Sequence, residues 1–74
     1  MRKIKEIAKE IKSSWKNPYF GAHPYLEAMF QLSSIEDNYY QDSARDIVTR
    51  FLANAGTWRG EDARRIKAEL KKML

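Results

Sequence analysis

The chain contains no cysteine, which excludes disulfides and thiolate metal sites. It has one histidine, His23, too few for a typical zinc site. No apolar run approaches the ~18 residues that a membrane span needs. The first residues are basic and lack the apolar core of a secretory signal. With the missing cysteines, this sets the expectation of a reducing, cytoplasmic setting. Also missing are a glycine-rich phosphate loop, a metal-ligand set and a nucleophile with a base beside it. The expectation is therefore a non-enzymatic protein, with no cofactor and no small-molecule ligand.

Seventy-four residues allow one small domain. Such a chain buries only roughly 60% of the surface exposed by its unfolded form. Without disulfide or metal, helix packing or self-association must supply stability. Nine aromatic residues favour a packed core over disorder. The net charge of +4 is unevenly spread. Residues 1–16 carry six basic and two acidic side chains, residues 17–56 two and five, and residues 57–74 six and three. Basic ends thus flank an acidic middle. Such ends are either solvated helix faces or a surface for nucleic acid or an acidic partner.

Apolar spacing predicts an all-α fold: a compact bundle of four main helices at about 2–15, 23–32, 43–55 and 58–73. One short helical turn is expected near 34–39, where Ser33 with Glu36 and Ser34 with Asp37 match a capping-box spacing. The strongest amphipathic stretch is 43–55, with Ala44, Ile47, Val48, Phe51, Leu52 and Ala55 on one face. Gly56 should end it in the left-handed conformation, and the next helix should start almost at once. Ile4, Ile7, Ala8, Ile11 and Trp15 share a face in the first helix. Ala63, Ile66, Leu70, Met73 and Leu74 do so in the last. Pro24 suits a first helical position, with His23 as a capping or surface residue. The expected core is Ile7, Ile11, Leu26, Phe30, Ile47, Phe51, Leu52, Ile66 and Leu70. The acidic group Glu36, Asp37, Asp42 and Asp46 lacks the ligand alternation of a calcium loop, and Asp42 and Asp46 read as helix-start residues.

Two sets of residues are candidates for function. Tyr19, Phe20, Trp58 and Arg59 form a candidate protein-interaction surface, because exposed Trp, Tyr and Arg anchor interfaces. Tyr19 and Phe20 lie in a loop with Pro18 and Gly21, where they either plug the core or bind a partner. Trp58 falls off the last helix's apolar face. It must pack sideways or stay exposed, and Gly60 beside it suggests close approach or a loose helix start. Lys5, Lys9 and Lys12, with Arg64, Lys67 and Lys71, line the edges of the first and last helices as candidate nucleic-acid contacts. Their ordinary alternative is stems that cover the core margin with solvated heads. A helix-turn-helix dock is disfavoured, since Glu61 and Asp62 would repel phosphates at the start of a recognition helix.

The runs NPYFGAHPYLEAM and FLANAGTWRGEDARRIKAEL, with Ser34-Ile35-Glu36-Asp37 between them, resemble small uncharacterised helical proteins of Firmicute genomes and their phage or conjugative elements. The resemblance spans nearly the whole chain and implies no activity and no functional residue. It implies an accessory protein of a mobile element. The preferred reading is an interaction module that binds a protein partner or itself. The alternative is weak, non-specific nucleic-acid binding through the lysine-rich edges.

Overall fold

The computed structural model describes residues 2–74. Four α-helices carry the fold: α1 (Ile4–Ser14), α2 (His23–Met29), α3 (Ala44–Ala53) and α4 (Glu61–Met73). A single 3₁₀ turn, Phe20–Ala22, precedes α2, and two short strands, β1 (Asn38–Tyr39) and β2 (Asp42–Ser43), precede α3. The domain is thus mostly helical, with a small antiparallel strand pair. α1, α3 and α4 fall where their apolar faces place them, because those faces all turn into one core.

Helix α1 starts without a conventional cap, and tertiary contacts complete it. The Ile4 and Lys5 N–H groups donate to the carbonyls of Ser33 and Leu32 at 3.0 and 2.9 Å. Glu6 reaches back to accept from the Lys3 N–H at 2.9 Å. Orphan donors at the helix start are thereby satisfied. Helix α2 is shorter than the expected 23–32. After Met29 the bonds tighten to i→i+3 type through Leu32, whose side chain is still buried.

The segment 34–39 departs from the expected helical turn. Asp37 accepts from the backbone N–H groups of Ser33 and Ser34 at 2.8 and 3.0 Å, and its own N–H donates to the Ser34 carbonyl. These bonds close a turn, not a helix. They also hold the Asp37 carboxyl below the usual carboxylate range. The chain then pairs Asn38 with Ser43 and Tyr39 with Asp42. Tyr40 at the tip has a φ of +56°, a left-handed conformation seldom adopted by an aromatic residue. Ser43 caps α3 by accepting from the Asp46 N–H at 3.1 Å.

The connection from α3 to α4 also differs from expectation. Helix α3 ends on Asn54, with φ −103° and ψ 10°, and residues 54–60 form a true connector. Gly56 is not left-handed. The left-handed glycine is Gly60, at φ +113°, immediately before α4. A Cβ on Gly60 would meet nothing within 4 Å, so backbone conformation and not crowding calls for glycine there.

The core gathers Ile4, Ile7, Ile11, Ile47, Val48, Phe51, Ile66 and Leu70, with Trp15 and Trp58. Phe30 and Leu52, expected at the centre, lie at its margin and are half-buried. Helices α1 and α4 run antiparallel, and polar residues seal their seam. Arg2 grips Glu69 with two nitrogens at 3.0 and 2.6 Å and Glu10 with a third at 2.7 Å. Arg65 joins Glu10 from the other helix. The Arg2 and Arg65 guanidiniums hold the Glu10 and Glu69 carboxyls below their ordinary range. Each such exposed pair contributes little alone, but the fork geometry fixes how the two helices face.

Candidate interaction surface

The sequence grouped Trp58 with Tyr19, Phe20 and Arg59, and the structure divides that group. Trp58 is 3% exposed and belongs to the core. Its indole stacks on Trp15 with centroids 5.5 Å apart and planes 11° off parallel, and it meets Phe51 edge-on at 6.5 Å. Trp15 meets Phe51 edge-on at 6.2 Å. The end of α1 converges on this cluster with the last turns of α3 and the connector that follows it. Burial of so large a ring in a small core leaves it no free face for a partner.

Tyr19 and Phe20 instead face water, 45% and 77% exposed. Their rings lie 4.9 Å apart at a 53° tilt. The pair is held from below by the 3₁₀ turn, where the Ala22 N–H donates to the Tyr19 carbonyl at 2.8 Å and Ala22 itself is buried. Gly21 seats the turn. A Cβ there would lie 2.6 Å from Tyr19 Cε2 and 2.9 Å from Asn54 Oδ1. A side chain at position 21 would have to displace the Tyr19 ring or the Asn54 amide, so glycine lets the turn pass between them. Asn54 is fixed in turn by donating to the Arg50 carbonyl at 2.8 Å. The aromatic pair therefore has a rigid base.

Arg59 joins a different group. With Trp58, Gly60, Ala63, Arg64 and Lys67 it lines an open groove of about 300 Å³. Lys71 follows one turn further along the same edge of α4. Lys67 donates to the Trp58 carbonyl at 2.6 Å and lies 5.8 Å from the centre of its indole, a cation–π contact. Partial burial, then the charges of Lys71 and Arg59, push the Lys67 ammonium down from its usual range. Among the described residues, no carboxylate forms an ion pair with Arg59, Arg64, Lys67 or Lys71.

Lys5, Lys9 and Lys12 are exposed on α1, with Lys12 over the Phe30 ring at 5.6 Å. The two basic edges do not meet. The flanks of α1 and α4 that face each other carry Glu10, Arg65 and Glu69, bridged by Arg2. At 100° per residue, Lys5, Lys9 and Lys12 lie on the opposite flank of α1, and Arg64, Lys67 and Lys71 on the opposite flank of α4. Each edge thus looks outward on its own side.

One exposed aromatic was not among the sequence candidates. Tyr40, 88% exposed at the hairpin tip, packs edge-on against Tyr39 at 4.7 Å. Its only signal was a pair of adjacent tyrosines in a polar stretch, which spacing alone assigned to a helical turn. No helix among the described residues is long and apolar enough to cross a membrane. No protein-family model, no curated protein and no solved structure matches this chain.

Proposed function

We propose that this protein is a small interaction module that contacts a protein partner through the Tyr19–Phe20 ring pair. The observation that supports this reading is the pair itself: two exposed rings in contact, on a turn seated by Gly21 against Asn54. Aromatic side chains supply large contact area at small entropic cost, and a preset turn lowers that cost further. The buried Trp58 acts beneath this surface as a structural residue. The placement in a mobile genetic element rests on the sequence resemblance, and the cytoplasmic setting on the absence of cysteine.

The test places a photo-crosslinking benzoylphenylalanine at position 20, and separately at the exposed control position Asp42, in cells that carry the gene. The expected result is a discrete protein adduct from position 20 that position 42 does not give. An adduct of twice the chain mass would identify self-association. Identical adduct patterns from both positions, or none from position 20, would overturn the proposal. The nucleic-acid alternative keeps one supporting observation, the cations along α4. A salt titration of duplex binding tests it, since phosphate contacts release counterions and give a slope of about −0.9 per contact.

A further inference from the structure

The groove beside Trp58 has a composition that the ring pair does not explain. Its floor is apolar, formed by Trp58 and Ala63, and its rim is cationic, formed by Arg59, Arg64 and Lys67. Lys71 extends the rim. Three of the four arginines outside the groove pair with acids: Arg2 with Glu10 and Glu69, Arg45 with Glu36, and Arg65 with Glu10 and Asp62. Of the two acids on the first turn of α4, Glu61 and Asp62, Asp62 turns to Arg65 on the far flank. The groove cations have no acid partner among the described residues, and Lys67 is pushed down from its usual range first by partial burial and then by the charges of Lys71 and Arg59. Lys67 is nonetheless fixed in place, with one donor used on the Trp58 carbonyl and two remaining. A rim of this kind is complementary to negative charge.

We propose that this groove receives an acidic peptide segment of the protein partner. The proposal rests on the reading of the protein as an interaction module. The dimensions set the size of the segment. Arg64 and Lys71 are seven residues apart on a helix, about 10 Å along its axis. An extended chain covers that distance in about three residues. A run of three or four residues rich in Asp and Glu can therefore place carboxylates beside Arg64, Lys67 and Lys71. Arginine and lysine clusters recognise acidic motifs in this way. A nucleic-acid backbone fits less well. The second basic edge lies on the far side of the α1–α4 pair, Glu61 stands one turn before Arg64, and the indole is packed against Trp15, so that no base can stack on it.

The test is a titration of the ¹⁵N-labelled full chain with an acetylated tetraglutamate peptide, followed by amide shifts. The expected result is saturable shifts at Arg59, Gly60, Arg64 and Lys67 and none at Lys5 or Lys9. In Arg64→Gln/Lys71→Gln the affinity should fall by about tenfold or more, because charge-assisted contacts are lost. Both side chains are exposed and outside the core, so the variant keeps its fold. Lys5→Gln/Lys9→Gln should bind as the parent does. Shifts spread equally over both basic edges, no shifts at all, or tighter groove binding of an oligothymidylate at the same salt would each overturn the proposal. Tyr19→Ser/Phe20→Ser should keep peptide binding while losing the partner. A chain that binds tetraglutamate but gives no adduct at position 20 would separate failure of the ring-pair reading from failure of this one.

Discussion

Replacing Trp58 by alanine separates a structural tryptophan from an interface tryptophan. An exposed interface residue could be removed at a cost within about 0.5 kcal/mol. The packing here predicts a far larger loss. Truncation of a buried Phe or Trp costs about 3–5 kcal/mol. Trp58 should fall in the upper part of that range, because its removal also ends the stack on Trp15, the edge contact with Phe51 and the cation–π contact of Lys67. A chain of 74 residues has a total stability on the order of 4–11 kcal/mol. The substitution therefore removes a third or more of it, and Tm should drop by about 12–40 °C. The assay is thermal and urea unfolding followed by far-ultraviolet circular dichroism, with Trp58→Phe as companion. Phenylalanine keeps a ring in the site and should lose clearly less than alanine. A Trp58→Ala variant that melts within about 4 °C of the parent would refute the reasoning and return Trp58 to the surface.

Four further outcomes follow from the same geometry. Phe20→Ser should leave Tm within the equivalent of about 0.5 kcal/mol of the parent while losing the position-specific partner contact, checked by thermal melts beside co-sedimentation with the identified partner. Gly60→Ala should cost about 1–3 kcal/mol because alanine is strained at φ +113°, whereas Gly56→Ala, with open space and no positive φ, should be neutral or stabilising by about 0.4–1 kcal/mol; urea midpoints decide both. Acid should destabilise the domain. Glu10 and Glu69 have folded pKa values below their unfolded ones, so their contribution is present above the ordinary carboxylate range and is lost as pH falls through the folded values; Arg2→Gln should flatten the pH dependence of Tm on the acid side. Asp37→Ala should lower Tm more than Asp42→Ala does, since only Asp37 caps two backbone donors.

The parts of the fold that a sequence reading finds are those whose signal repeats. Ile4, Ile7, Ala8 and Ile11 announce α1 because one face recurs every three or four residues, and the same holds for α3 and α4. The hairpin escapes that logic. Two-residue strands have no period to read, and the deciding contact is a carboxylate from Asp37 onto two backbone N–H groups, which mimics a capping pair in sequence. Spacing places the left-handed glycine of the connector at Gly56, and the structure has it at Gly60, because either can end or begin a helix and only the backbone angle tells them apart. Trp58 illustrates the main limit. Its partner Trp15 is far away in sequence, at the end of α1, so off-stripe position alone could not say whether Trp58 was buried. The basic edges were legible one helix at a time. Their separation depends on which flanks pack together, which the Arg2–Glu10–Glu69 contacts decide.

The exposure of Phe20 is informative because the domain is so small. Full burial of a phenylalanine stabilises by about 1.5–3 kcal/mol, a large share of what a chain of this length can hold. A single exposed apolar side chain would need no explanation. Here two rings are exposed together, in contact, on a turn whose glycine leaves room for the Tyr19 ring and the Asn54 amide on either side of it. The connector that begins with Asn54 goes on to bury Trp58 and then opens the cationic groove at Arg59. The aromatic pair thus lies beside one end of this connector and the basic rim begins at the other, and the Trp15–Phe51–Trp58 cluster holds the connector to the core. A partner with an apolar anchor and a nearby acidic run would meet both on a frame already set before binding, which lowers the ordering cost that otherwise limits so small an interface.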